Sequence, residues 1–131
     1  MGFVYDLVQN DEAVYNIGNI VVFTFLKVSS NVDFNPEEGF TCREAGFYSF
    51  SLHLVGRYGQ TVEVAIVKGS TELVRAGTRD ESFNAAASTS VVVELAAGDV
   101  VFTKCVSQVC AVKGHSRFTG RKLIGKKAKP A

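Results

Sequence analysis

The sequence predicts an all-β domain, and three observations carry that expectation. Apolar and polar residues alternate from Phe47 to Val55, with Tyr48, Phe50, Leu52 and Leu54 on one side and Ser49, Ser51 and His53 on the other. A period of two is what a half-buried strand requires, because successive side chains point to opposite faces. Short runs rich in Val, Ile, Phe and Thr recur at roughly 8–12-residue spacing, separated by Gly, Asn, Asp and Ser. No window of helical length repeats apolar residues at i, i+3, i+4 and i+7, and Ala85-Ala86-Ala87 could supply one helical turn at most. Many short strands of this kind form a sandwich or a barrel.

The first candidate strand is Phe3 to Val8, followed by the polar loop Asn10-Asp11-Glu12 and a turn at Asn16-Ile17-Gly18-Asn19. Ile20 to Val28 is dense in β-branched and aromatic residues, the composition that strands favour. Ser29 to Glu38 is a polar connection containing Asn35-Pro36. A short apolar piece around Phe40 then breaks at Gly46, ahead of the alternating strand. Gly56-Arg57-Tyr58-Gly59-Gln60 reads as a hairpin loop into Thr61 to Lys68, where Val62, Val64 and Ile66 share a face. Gly69-Ser70-Thr71 turns the chain into a short strand, Glu72 to Ala76, and Gly77 to Ser88 is the longest polar stretch. Ser90 to Leu95 and Val100 to Val106 read as a pair around the turn Ala96-Ala97-Gly98-Asp99, and Ser116 to Ile124 is the last strand.

At 131 residues the chain is long enough for one domain with a sizeable core. We assign residues 1–125 to that domain and 126–131 to a basic tail. A net charge of +1 argues against bulk electrostatic binding of nucleic acid. No apolar run approaches the ~20 residues that cross a bilayer. The N-terminus shows no basic region followed by an apolar stretch, as in a cytoplasmic chain or one whose leader has been removed. No nucleophile elbow, zinc-protease motif, phosphate loop or dinucleotide fingerprint occurs, so no catalytic residue and no enzymatic role is proposed.

Three motifs in order carry a family resemblance. Phe40-x5-Gly46-x-Tyr48-x-Phe50, with Phe34-Asn35-Pro36 just upstream and Asn31 before that, resembles the signature of the globular C1q domain. Leu95-Ala96-Ala97-Gly98-Asp99-Val100-Val101 resembles the family's L-x-x-G-D-x-V turn, and Ser116-Arg117-Phe118-Thr119-Gly120 its closing S-x-F-S/T-G strand. The resemblance implies a ten-stranded jelly roll of the C1q/tumour-necrosis-factor type, a homotrimer or heterotrimer, secretion, and partner recognition. The chain departs from the pattern in three places. Phe34 to Phe40 is one residue short, which implies a tighter turn. Arg121 and Lys122 stand where the family carries bulky apolar residues, which counts against trimer packing or against burial of the last strand. The loop Val112 to Arg117 holds no acidic residue, against the calcium site some members carry, so no cofactor is expected.

Several residues are candidates for chemistry. Cys105 and Cys110, with four residues between them, can bring their Cα atoms within the about 4.4–6.8 Å a disulfide needs. An oxidising compartment gives a local bridge and a reducing one gives two thiols. Cys42 reads as a buried thiol acting as a small apolar residue, with an intermolecular bridge as the alternative. The cysteines and histidines are too scattered for a tetrahedral zinc site. His53 reads as a surface or interface histidine. Lys113, His115 and Arg117 form a glycine-containing loop with three potentially positive groups, suited to an anionic or sugar ligand. Arg79, Asp80 and Glu81 lie in the other dense polar loop, where carboxylates could meet sugar hydroxyls or a hard cation. Solvated loops are the plain alternative for both sets. The functional expectation is multivalent binding of microbial polysaccharide, lipopolysaccharide or another anionic target. The alternatives are a cytokine-like or hormone-like ligand of a protein receptor and a trimerisation module without a soluble ligand.

Overall fold

The computed structural model describes residues 4–8, 13–21, 25–28, 34–35, 39–56, 61–78, 85–112 and 116–125; for several short strands only the backbone course is described. Among them run twelve strand segments: β1 (Val4–Val8), β2 (Ala13–Asn16), β3 (Phe25–Val28), β4 (Phe34–Asn35), β5 (Gly39–Thr41), β6 (Gly46–Gly56), β7 (Val62–Lys68), β8 (Thr71–Thr78), β9 (Ala85–Leu95), β10 (Val100–Cys105), β11 (Val109–Val112) and β12 (Arg117–Gly125). They form two antiparallel sheets. The seven-stranded sheet runs β2-β11-β6-β12-β1-β3, with β9 on the other side of β6. The five-stranded sheet runs β4-β5-β10-β7-β8. The count exceeds the expected ten because short pieces pair in their own right, among them the two-residue β4 and the four-residue β11.

The alternation in β6 is fully realised: from Gly46 to Gly56 buried and half-buried positions alternate without exception. Tyr48, Phe50, Leu52 and Leu54 point between the sheets and meet Val62, Val64, Ile66, Val101 and Phe118 in one cluster. Phe50 lies at its centre, 5.8 Å from Phe40 and 6.0 Å from Phe118 between ring centroids. Packing of this kind is the main favourable term for a sandwich, since each sheet buries one face against the other.

Two expected hairpins are absent. Spacing predicts that β6 pairs with β7 through Gly56 to Gln60, yet β6 lies in the seven-stranded sheet and β7 in the five-stranded one. The segment Ser90 to Leu95 likewise pairs with β6, whereas its expected partner Val100 to Val106 pairs with β5 and β7. Short turn-rich connections therefore cross between sheets, a jelly-roll property that spacing alone does not distinguish from a hairpin. The Gly69-Ser70 turn does join paired strands, β7 and β8. Ala85 to Ala87 is strand, not a helical turn, because Gly56, Val55 and Leu54 of β6 pair with it. Ile20 to Val28 is not one unbroken strand: Ile20 makes a single bridge to Lys104 and Val21 lies outside any strand, while β3 is described over Phe25–Val28 and residues 22–24 lie outside the described residues. Phe34 pairs with Phe40 and Asn35 with Gly39; the tighter turn expected between them lies outside the described residues.

The segment after β2 is strapped to β10. Gly18 N donates to Cys105 O at 2.8 Å, Cys105 N to Asn19 O at 2.9 Å, and Val21 N to Thr103 O at 2.9 Å. Cys105 and Cys110 are joined Sγ to Sγ, with Cα atoms 5.9 Å apart. Because β10 and β11 belong to different sheets, this bridge staples the two layers where the chain passes between them. Cys42 is a buried free thiol. At 1% exposure it is out of reach of a second chain.

Lys122 does not spoil the last strand. It sits on the inward side of β12, and its ammonium pairs with the Glu44 carboxylate at the rim. The aliphatic stem is largely covered while the charge reaches a partner at the edge. A bulge between Lys122 and Ile124 follows.

Candidate functional site

One corner of the sandwich gathers the ends of four strands. Gly56, the last residue of β6, pairs with Ala85 at the start of β9 and with Val112 at the end of β11. Thr78, the last residue of β8, packs so closely against Gly56 that a Cβ there would lie 2.3 Å from Thr78 Oγ1. Residues 57–60, 79–84 and 113–115 therefore all begin or end at this corner. Ser116 fixes the exit of the last of these: its buried hydroxyl accepts from Val55 N at 2.9 Å and donates to Val55 O at 3.4 Å. Of the sequence candidates, Arg79, Asp80, Glu81, Lys113 and His115 lie outside the described residues. The structure brings the strand ends that carry the two loops together at Gly56.

Arg117 is described, and it stands apart from the core. It opens β12 opposite His53 and points outward with it. His53 Nδ1 and Ser88 Oγ are hydrogen-bonded at 2.9 Å across β6 and β9. These residues, with Ser51, Ser90 and Thr119, line a shallow depression of about 290 Å³. A neighbouring depression of about 270 Å³ is lined by Ser49, Ser51, Thr119, Gly120 and Arg121. The outer face of the seven-stranded sheet is thus a band of hydroxyls with Arg117, His53 and Arg121 among them. Half of it was visible in the sequence, as Ser49, Ser51 and His53. The other half comes from β9 and β12, whose register no local pattern reveals.

Near the rim, Tyr48 OH donates to Glu44 O at 2.5 Å and lies 3.6 Å from Cys42 Sγ. Burial first, and then the neighbouring Cys42, pushes the Tyr48 phenol well above its ordinary range. The Lys122 hydrogen bond holds the Glu44 carboxyl below the usual carboxylate range. On the opposite sheet Arg75 grips Glu72 with two 2.7 Å bonds and Glu63 with one of 3.3 Å. Arg75 is accordingly held in its charged form, chiefly by Glu72. No group of three His, Cys, Asp or Glu among the described residues could hold a metal ion.

The C1q domain family profile matches residues 4–121. The chain belongs to the C1q domain family. The globular domain of zebrafish complement 1qA superposes with a TM-score of 0.81 at 18% identity, over 96% of this chain and 100% of that one. Eiger TNF from S. frugiperda gives 0.78 at 8% identity, over 100% of this chain and 96% of that one. Murine APRIL gives 0.70 at 14% identity, over 94% and 100%. No curated protein matches this chain by sequence. C1q domains are recognition domains and are typically extracellular. Among the described residues no helix is long and apolar enough to cross a membrane.

Proposed function

We propose that this C1q domain is a secreted, homotrimeric recognition module of innate immunity that binds microbial polysaccharide, lipopolysaccharide or another anionic surface ligand. The observation that carries the reading is the match of the C1q family over residues 4–121. The corner at Gly56 supports the placement of the ligand loops, since both candidate sets, Arg79 to Glu81 and Lys113 to Arg117, are carried by strand ends that meet there. Three copies of a weak site on one trimer give avidity without a deep pocket. The pair Cys105 and Cys110 suits an oxidising compartment.

The outer face of the seven-stranded sheet is the surface through which copies meet. Every exposed large hydrophobic among the described residues, Val14, Ile17, Val92, Val109 and Leu123, belongs to that sheet or to the turn after β2. None belongs to the five-stranded sheet. Confinement of the exposed apolar side chains to one layer favours that layer as the association surface.

A glycan and bacterial-component array tests the reading, with wild type beside a triple variant, Lys113→Ala, His115→Ala and Arg117→Ala. We expect binding to acidic glycans or lipopolysaccharide that falls at least tenfold in the variant. Unchanged binding would remove the loop from the site. Selective capture of one receptor protein, with no glycan signal, would favour the cytokine-like reading that the Eiger and APRIL likenesses keep open.

A further inference from the structure

The outer face of the seven-stranded sheet carries a second feature, one that the loop reading does not use. Arg121 stands opposite Ser49, and Thr119 opposite Ser51, so three hydroxyls and one guanidinium surround the depression of about 270 Å³. Among the described residues, none of these four side chains has a hydrogen-bonded or ionic partner. Arg121 is exposed, whereas its neighbour Lys122 has Glu44. Taking an unpaired guanidinium out of water is strongly unfavourable, so a face that closes over Arg121 needs a counter-charge. Glu94 is the acidic side chain described on this face, and it belongs to the row of Phe47, displaced from Arg121 along the sheet and across β6. A guanidinium fork beside clustered hydroxyls matches a tetrahedral oxyanion, since both supply donors in fixed directions.

We infer that inorganic sulfate or phosphate binds between Arg121 and the hydroxyls of Ser49, Ser51 and Thr119, and that this anion is part of the contact between copies of the chain. The inference rests on the trimeric reading above and adds its ligand. The anion supplies the counter-charge that Arg121 lacks, so assembly and anion binding are linked. If the site exists only in the assembled form, anion at about ten times its dissociation constant raises the association constant about tenfold per site. The effect is specific to oxyanions. General screening by salt acts on all exposed charges and does not distinguish sulfate from chloride at equal ionic strength.

Sedimentation of the whole chain at constant ionic strength, with chloride exchanged stepwise for sulfate and separately for phosphate, is the test. The expected result is an oligomer whose half-dissociation concentration falls at least tenfold as sulfate is added. Arg121→Gln should lose that dependence while keeping the wild-type circular dichroism spectrum, and a Ser49→Ala, Ser51→Ala pair should weaken it. An oligomer of unchanged strength in sulfate and chloride overturns the inference and leaves the trimeric reading standing. The inference is overturned equally if Asp6→Asn, rather than sulfate, changes the strength: Asp6 stands opposite Thr119 in the register, and the chain would then provide its own counter-charge. A monomer under every condition overturns both.

Discussion

Gly39→Ala should destabilise the domain more than the same change at any other described glycine of positive φ. Gly39 has φ +107°, a backbone conformation that L side chains rarely adopt. A Cβ at this position would also lie 2.4 Å from Val101 O and 2.7 Å from Phe102 Cβ. The carbonyl cannot rotate away, because Val101 is fully buried in β10, between β5 and β7. Relief requires moving β5 off β10, and with it Phe40 of the aromatic cluster. The backbone conformation costs about 1–3 kcal/mol, and overpacking adds about 1–3 kcal/mol. Together they span about 2–6 kcal/mol, and even about 3 kcal/mol is a large fraction of the ~5–15 kcal/mol that holds a domain folded. With an unfolding entropy of about 2.1 cal/mol/K per residue, a chain of 131 residues should lose about 11 °C in Tm. Gly98→Ala is the control: φ is +96° there, but nothing lies within 4 Å of the added Cβ. Calorimetry and urea unfolding at one fixed protein concentration should show a clearly smaller loss for Gly98→Ala. Equal losses for the two variants, or a loss under about 1 kcal/mol for Gly39→Ala, would refute the close-approach argument.

Three further outcomes follow from named contacts. Replacing Cys105 and Cys110 together by serine, or reducing the wild type, should cost about 2 kcal/mol, the loop-closure entropy for so short a loop, and the double variant should be insensitive to reductant. Truncating Phe50 to alanine should cost about 3–5 kcal/mol in urea unfolding, because the ring is fully buried between Phe40 and Phe118. Glu44→Gln should matter only at neutral pH. The Lys122 contact lowers the folded-state pKa of Glu44 below its ordinary 4.5, so its contribution is present above that value and is lost as pH falls through the lowered pKa. The stability gap between wild type and Glu44→Gln should therefore close on acidification below about pH 4.5, and a gap that persists at pH 2 would contradict the assignment.

The strands that alternate, β6 above all, are legible in sequence because one face is buried and the other is not. The β7–β8 hairpin is legible because Gly69 takes the positive φ of its turn. The pairing of β6 with β9 and β12 is not legible, because partners far apart in sequence leave no local trace. For the same reason the connection at Gly56 passes for a hairpin. β2 and β11 escape a sequence reading: Ala13 to Asn16 and Val109 to Val112 are four-residue pieces with little alternation of their own, held by pairing with each other. Arg117 is legible as a cation in a loop-to-strand junction. Its outward neighbours His53, Ser88 and Ser90 are not, since separate strands supply them. Arg121 reads in sequence as a flaw in the closing strand, yet outward placement beside Ser49 removes it from the core altogether.

Mass in solution bears most directly on the central claim, that this C1q domain works as an assembly of identical copies meeting through the seven-stranded sheet. Light scattering or sedimentation equilibrium at micromolar concentration should give three times the 14.1 kDa chain, about 42 kDa. Val92→Asp, on the outer face with Ser49, should shift the protein toward monomer with its fold intact. A wild type that stays at 14.1 kDa across that range, or a trimer indifferent to Val92→Asp, would contradict the account.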